Sequence, residues 1–365
     1  MRPAYDPGYS RNVNIPESAP EQMVRMSDVA QRAGVSRATV SRVLSGSASV
    51  SNATQEKVLA AVKQLGYVPN VMAQTLAHPA HNKDLLVGSL IRDPRRASYG
   101  LLFSELQKNA DEQGVELLTV APTQGQSTPG EQHGLHRLLS VRVKGLLVAT
   151  GVIASEDLWP FIGKVPIISV GRPEVNPQVY GVSYDEEATG RLLANAVVGH
   201  GHRDIAVIAP SREVSVPEHT RAQSIISSLR TRGINPIVIE APTFGVDNEG
   251  IGEIVQLVRK KMISVAMFPT DDRALRFMEL ALKSGIEIPR DVSVTGADGI
   301  ANGINIISLA TVRIPTETVA ERAITVMKSL IENPNTPIIH EKYSGMFVDG
   351  RTLAAPGLSA QKVER

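Results

Sequence analysis

Between residues 36 and 42 the chain reads Ser-Arg-Ala-Thr-Val-Ser-Arg, and Val43 and Leu44 follow. Val40, Val43 and Leu44 fall at i, i+3 and i+4, the spacing of one inward helix face. Arg37, Ala38, Thr39, Ser41 and Arg42 are then left outside. An arginine fork can donate two hydrogen bonds to a guanine edge in the major groove, and hydroxyls can bond phosphate oxygens. A methyl group such as that of Ala38 offers only an apolar contact, for instance to thymine. The surface of an ordinary helical hairpin would show the same spacing, so this stretch alone leaves both readings open.

Other residue groups with possible chemistry are weaker. His200-Gly201-His202 resembles a metal pair but has no third ligand nearby in sequence. Asp271-Asp272 and Asp185-Glu186-Glu187 suit helix N-termini, where the helix dipole favours anions. Trp159, the only tryptophan, lies beside Pro160 and is expected to pack within its lobe. There is no Gly-rich phosphate loop, nucleophile elbow, or kinase or dehydrogenase fingerprint. No catalytic residue, metal or cofactor is expected, and the chain is not read as an enzyme.

The elements that must position the basic face are short. Val29, Ala30 and Ala33 give residues 26–33 one apolar face. Gly34 ends that helix, because glycine enters the left-handed region at little cost. Ser36 can cap the next helix by accepting from a free backbone N–H. Ser51 or Asn52 caps a third helix running to about residue 64, with Val58, Leu59, Val62 and Leu65 as its stripe. Two helices joined by a tight turn, the second with small, polar and cationic residues outside, suit a helix-turn-helix. Residues 71–77 follow Pro69-Asn70 as a further short helix, too short to be stable alone in water.

Composition bounds the rest. A chain of 365 residues is expected to hold more than one domain. Its formal net charge of +1 averages unequal parts. Residues 23–78 carry Arg25, Arg32, Arg37, Arg42, Lys57 and Lys63 against only Asp28 and Glu56, which leaves the remainder mildly acidic. A basic head on an acidic body suits a polyanion-binding module joined to something else. The absence of cysteine excludes disulfides and thiolate sites and suits a reducing cytoplasm. No apolar run approaches the ~20 residues needed to span a bilayer, and residues 1–22 are read as a disordered extension without a secretory signal.

From Leu85 the texture changes. Apolar runs at 85–91, 115–121, 143–149, 165–170, 205–209, 234–240, 264–268 and 292–296 alternate with amphipathic helical segments. Continuous apolar strands between helices mean parallel sheets covered on both faces. Their division near Asp185 gives two α/β lobes, with a ligand site expected at the carboxyl ends of the strands.

The segments DVAQRAGVSRATVSRVLSG, YVPNVMAQTLA, VKGLLVA, GHGHRDIAVIA, SGIEIPRDVSVTGADG and GRT, in this order and spacing, resemble the LacI/GalR transcriptional regulators along nearly the whole chain. The resemblance implies an all-α helix-turn-helix head and hinge helix, followed by a two-lobed α/β core like that of periplasmic binding proteins, with parallel sheets. By position the domains are expected at 1–22 (extension), 23–68 (DNA-binding head) and 69–84 (hinge helix and linker). The first core lobe is expected at 85–184 with 315–333, the second at 185–312 with 334–354, and a tail at 355–365.

The resemblance also places roles on residues. Base-reading positions fall on Arg37, Ala38 and Arg42, with Thr39 and Ser41 beside them, while Ser36, Thr39 and Asn70 can set register on phosphates. Leu76 matches the hinge leucine that wedges a base step at the operator centre, and Ala73 matches the small residue where paired hinge helices meet. Effector-facing positions fall on Asp93, Tyr99, Arg221, Asp271 and Asp298. Arg172 stands where sugar-responsive members often carry an aspartate, Thr270 where asparagine is common, and Ile314 where some members have a polar residue. The implied protein is a cytoplasmic homodimer and a repressor of transcription. It binds a near-palindromic double-stranded DNA operator, with affinity set by a small molecule, a sugar or sugar derivative, between the core lobes. The tail is too short and polar for the heptad segment that makes tetramers in the family. The added cations Arg95, Arg96 and Arg172 suit an anionic metabolite as an alternative, or no effector at all. A sugar-binding protein without a regulatory role is the alternative of another class. The effector, its sign and the operator are not legible.

Overall fold

The computed structural model describes residues 24–44, 50–67, 85–122, 128–151, 153, 155–242 and 249–357. The extension at 1–22, the hinge positions Asn70, Ala73 and Leu76, and most of the tail lie outside them. The chain divides into two compact units, 1–83 and 84–365.

In the first unit, α1 (Met26–Ala33), α2 (Arg37–Leu44) and α3 (Asn52–Leu65) enclose one small core. Asp28 accepts from the Arg25 backbone N–H at 2.8 Å and opens α1. Gly34 closes it with φ of 69°, and the Val35 amide donates back to the Ala30 carbonyl at 3.0 Å. Ser36 caps α2: its hydroxyl accepts from the Thr39 amide at 3.1 Å. Each helix contributes one fully buried valine, Val29, Val40 and Val58. Leu59 departs from the expected stripe and is 54% exposed. One residue along a helix is a turn of about 100° away from Val58, whereas three residues along returns to the same side. Ala61 therefore holds the inner place, and Tyr67, beyond the helix end, covers the core.

The second unit alternates strands and helices. It begins with β1 (Leu85–Ile91), α4 (Ala97–Glu112), β2 (Val115–Val120), α5 (Thr128–Ser140), β3 (Leu146–Ala149), β4 (Ile167–Val170) and β5 (Tyr180–Tyr184). It continues with α6 (Glu186–Gly199), β6 (Ile205–Pro210), α7 (Val216–Arg230), β7 (Ile237–Ala241), α8 (Ile251–Arg259), β8 (Val265–Met267), α9 (Asp271–Lys283) and β9 (Ser293–Thr295). The remaining elements are α10 (Ile304–Ile307), β10 (Thr311–Arg313), α11 (Thr316–Glu332), β11 (His340–Tyr343) and β12 (Met346–Val348). Two parallel sheets result, ordered β11-β5-β4-β3-β1-β2 and β7-β6-β8-β9, with β10 and β12 forming a separate antiparallel pair.

Each sheet is buried on both faces. Val87, Leu102, Leu106 and Ile168 lie on one side of the first sheet, and Leu90, Leu135, Leu138 and Val148 on the other. The second sheet separates the clusters around Phe268 and Phe277 from those around Leu193 and Ile225. After β10 the chain crosses back, and α11 inserts Val319, Ala323, Met327 and Leu330 into the first lobe's core.

Two expectations are corrected, and one strand appears where none was expected. Tyr180–Tyr184 is a fully buried strand, although its Tyr-Gly-Val-Ser-Tyr sequence breaks the apolar pattern. His340–Tyr343, expected with the second lobe, pairs with β5 of the first. Its polar residues suit an edge, and Glu341 pins it there. That carboxylate accepts from the hydroxyls of Tyr180 and Tyr343, each at 2.5 Å, and from Arg322 Nη2 at 2.7 Å. Trp159 is 67% exposed rather than packed.

Candidate functional site

The outer face of α2 carries the basic side chains. Arg37, Ala38 and Arg42 are exposed, and Thr39 and Ser41 are half-buried. The hydroxyls of Ser36 and Thr39 are 2.9 Å apart, so the cap and one polar group of this face form a single unit. Val40 and Val43 point into the core, and this fixes which side the arginines occupy.

The second unit holds a cleft between its two lobes. Its walls come from the segments after strand ends: Arg92, Arg96 and Tyr99 after β1, Thr150 after β3, Ser215 and Glu218 after β6, Thr270 and Arg273 after β8, and Asp298 after β9. Parallel strands all point their carboxyl ends to this side, so loops distant in sequence converge there.

Arg221, on α7, is the centre of the floor and only 2% exposed. Its Nε donates to Glu186 at 2.7 Å, and its Nη1 donates to Asp298 at 3.1 Å and to the Pro269 carbonyl. Burial pushes the Glu186 and Asp298 carboxyls above the usual carboxylate range, and Arg221 pulls against that push. Burial also opposes the charge on Arg221, but the two carboxylates outweigh it and raise the guanidinium's pKa further. Asp298 has a φ of 113°, which costs a non-glycine residue roughly 1–3 kcal/mol. Its backbone is locked in place: its N–H donates to the Val312 carbonyl at 3.0 Å and its carbonyl accepts from Ile314 at 3.1 Å.

Of the six positions expected to face an effector, Tyr99, Arg221 and Asp298 line the cleft together. Burial pushes the Tyr99 phenol up, and Arg92 hydrogen-bonds to it. Asp93, Arg172 and Asp271 are not among the lining residues. Asp93 accepts from Arg95 Nε at 2.8 Å on its own loop. Arg172 lies behind the wall, 2% exposed, and donates to Glu174 at 2.9 Å. Asp271 spends both oxygens on the β9–β10 connection, accepting from the Thr311 hydroxyl at 2.7 Å and the Gly299 amide at 2.6 Å. It thus supports the backbone that carries Asp298.

Arg92, Glu186, Glu218, Ser215 and Arg273 were not singled out as site residues from the sequence. Arg92, Ser215 and Arg273 follow an apolar run within six residues, which is the one signal that would have found them. Asp185 does cap α6, accepting from the Ala188 amide at 2.8 Å, but its neighbour Glu186 turns to Arg221. The histidine pair is structural. His200 bonds the Ala196 carbonyl at 2.9 Å, and buried His202 bridges Ser264 and the Ala354 carbonyl at 2.8 and 2.7 Å. Among the described residues no group of three or more His, Cys, Asp or Glu could hold a metal, and no helix is long and apolar enough to cross a membrane.

Comparison with known proteins finds one family match in each unit. A family model described as bacterial regulatory proteins, lacI family, matches residues 25–70, and a periplasmic binding protein-like domain matches 194–353. The transcriptional regulator AscG of Escherichia coli (strain K12) is 28% identical over 92% of this chain and 99% of its own length. GalS of Salmonella typhimurium is 30% identical over 76% of this chain and 81% of its own. The lac repressor dimer, solved bound to operator and the anti-inducer ONPF, matches with a TM-score of 0.77 at 25% identity, covering 92% of this chain and 100% of that one. The chain belongs to the LacI/GalR family of bacterial transcriptional regulators.

Proposed function

We propose that this protein is a sequence-specific repressor that binds a near-palindromic operator as a homodimer, with its DNA affinity set by a small molecule held in the core cleft. Arg37 and Arg42 read bases, with Ala38, Thr39 and Ser41 beside them, and Ser36 and Asn70 help set register on phosphates. Leu76 enters the minor groove at the operator centre, and Ala73 lets the paired hinges meet. Leu76→Ser is expected to weaken operator binding at least tenfold while leaving effector binding unchanged; unaltered operator affinity in a titration would remove that role. The cleft binds rather than catalyses, and the reading places the protein in the cytoplasm.

One observation carries the effector's class. The guanidiniums lining the cleft already face protein acceptors. Arg221 serves Glu186 and Asp298, Arg273 donates to Glu218 at 2.8 Å, and Arg92 donates to the Val214 carbonyl at 3.2 Å. Arg96 lies 3.9 Å from Asp272. Glu186 Oε1 is one of the buried side-chain atoms with no hydrogen-bond partner among the described residues. A buried acceptor left unmade is costly, so a neutral ligand rich in hydroxyl donors, a sugar or sugar derivative, suits this site better than an anion.

Footprinting on genomic DNA and thermal shift with a panel of neutral sugars, sugar phosphates and organic acids test the reading together. A palindromic footprint that neutral sugars weaken or strengthen supports it. Shifts from phosphates or organic acids alone turn the effector into an anionic metabolite. A footprint with no thermal shift leaves a regulator without an effector. A sugar-induced shift without any footprint leaves a sugar-binding protein with no regulatory role.

A further inference from the structure

The two lobes of the core touch across the mouth of the cleft through groups that belong to the chain itself. The first backbone N–H groups of a helix have no acceptor within it. At the start of α7, Ser215 supplies one by accepting from the Glu218 amide. The Val216 amide has another: it donates to the Gly151 carbonyl at 2.9 Å. Gly151 follows β3 of the first sheet, and Val216 follows β6 of the second. Two residues before Val216, the Val214 carbonyl accepts from Arg92 Nη2, and Arg92 follows β1. These groups are all buried. The Arg96–Asp272 pair crosses the same mouth nearer to solvent.

Gly151 is what lets the lobes come this close. A Cβ placed there would stand 3.2 Å from Arg92 Nη1, 3.2 Å from Ser215 Oγ and 3.3 Å from Pro217 Cδ. These are tighter than ordinary contacts, and two of the three atoms belong to the opposite lobe. The backbone of Gly151 is not among the positive-φ positions, so the position needs the missing side chain and not glycine's conformational freedom.

We propose that Gly151, Arg92 and residues 214–216 form a latch that closes the two lobes through the protein's own hydrogen bonds, independent of any effector. A binder then has to enter through an open minority of molecules, and its apparent affinity falls by that fraction. This consequence rests on reading the cleft as an effector site. The latch itself is read by one amide, whatever the cleft binds and whether or not the chain binds DNA.

The test is residue-resolved hydrogen exchange of the Val216 amide in the full chain, freed of small molecules by unfolding and refolding and checked by native mass spectrometry. Exchange at least about 100-fold slower than for an unprotected amide is expected, because only the latch supplies its acceptor. Gly151→Val should speed it at least about tenfold, and Arg92→Gln several-fold, with the β6 amides of Ala206–Ile208 unchanged as the control for folding. An unprotected Val216 amide in the wild type overturns the latch, as does equal protection in both variants. If Gly151→Val does not fold, Arg92→Gln decides alone, and unchanged protection there overturns it.

Discussion

The head and the core both depend on arginine, in opposite ways. Arg37 and Arg42 project from α2 into solvent, carried by a helix whose apolar face is buried on the other side. Arg221 and Arg172 are 2% exposed and tied to carboxylates. An exposed guanidinium stays hydrated and within reach of a polyanion, and it costs little to hold. A buried one has lost its hydration, so its partners are part of the fold and it organises a site before any ligand arrives. Substitution should therefore harm DNA binding but not folding in the head, and folding as well as ligand binding in the core.

The largest effect that separates the two regions is expected at Arg221. Arg221→Ala leaves buried Glu186 and half-buried Asp298 around a missing cation, and a loss of about 3–5 kcal/mol in denaturant unfolding is expected. A loss below about 1 kcal/mol would mean the floor is wetter or more adaptable than its burial indicates. Arg37→Ala should leave the melting temperature unchanged while lowering discrimination among operator bases by about 1–3 kcal/mol in competition binding. A fall in melting temperature with no change in discrimination would make Arg37 structural and erase the contrast.

A smaller effect belongs to His202. Burial holds its pKa below the usual histidine value. The folded state therefore favours the neutral ring, and its contribution is fully present above about pH 6.5, the unfolded value, and lost as the pH falls through the lower folded one. The melting temperature should drop on acidification in this window, and His202→Gln should flatten that part of the profile. An identical profile for the variant would show that the tie to Ser264 and Ala354 does not depend on ring charge.

How far the sequence could be read follows from the range of the interactions involved. The head was nearly complete: a cap, a left-handed glycine and an apolar stripe all act within four residues, so Ser36, Gly34, Val40 and Val43 were found where they stand. Leu59 is the exception, because its hydrophobicity does not reveal that its angle on the helix points it outward. In the core, runs such as Leu85–Ile91 were legible because both faces of the strand are buried. Tyr180–Tyr184 and His340–Tyr343 were not, because a tyrosine-rich strand and a polar edge strand do not differ from loops in composition alone.

The cleft divides the same way. Family resemblance pointed to Tyr99, Arg221 and Asp298, and the structure brings these three to one cleft, Tyr99 from the first lobe and Arg221 and Asp298 from the second. The same resemblance also named Asp93, Arg172 and Asp271, which turn instead to Arg95, Glu174 and the β9–β10 connection. A resemblance transfers positions along the chain; it does not say which rotamer and neighbour a side chain takes.

The sequence by itself determined the helix-turn-helix, its basic outer face, the alternation of strands and helices and the two-lobed core. Each is set by periodicity or by contacts close along the chain. Only the tertiary structure decided that Glu186 turns to Arg221 and keeps one buried oxygen without a partner among the described residues, that His340–Tyr343 edges the first sheet, and that Gly151 meets Val216 across the cleft. Those outcomes depend on residues tens to more than a hundred positions apart, brought together by packing whose geometry no local pattern encodes.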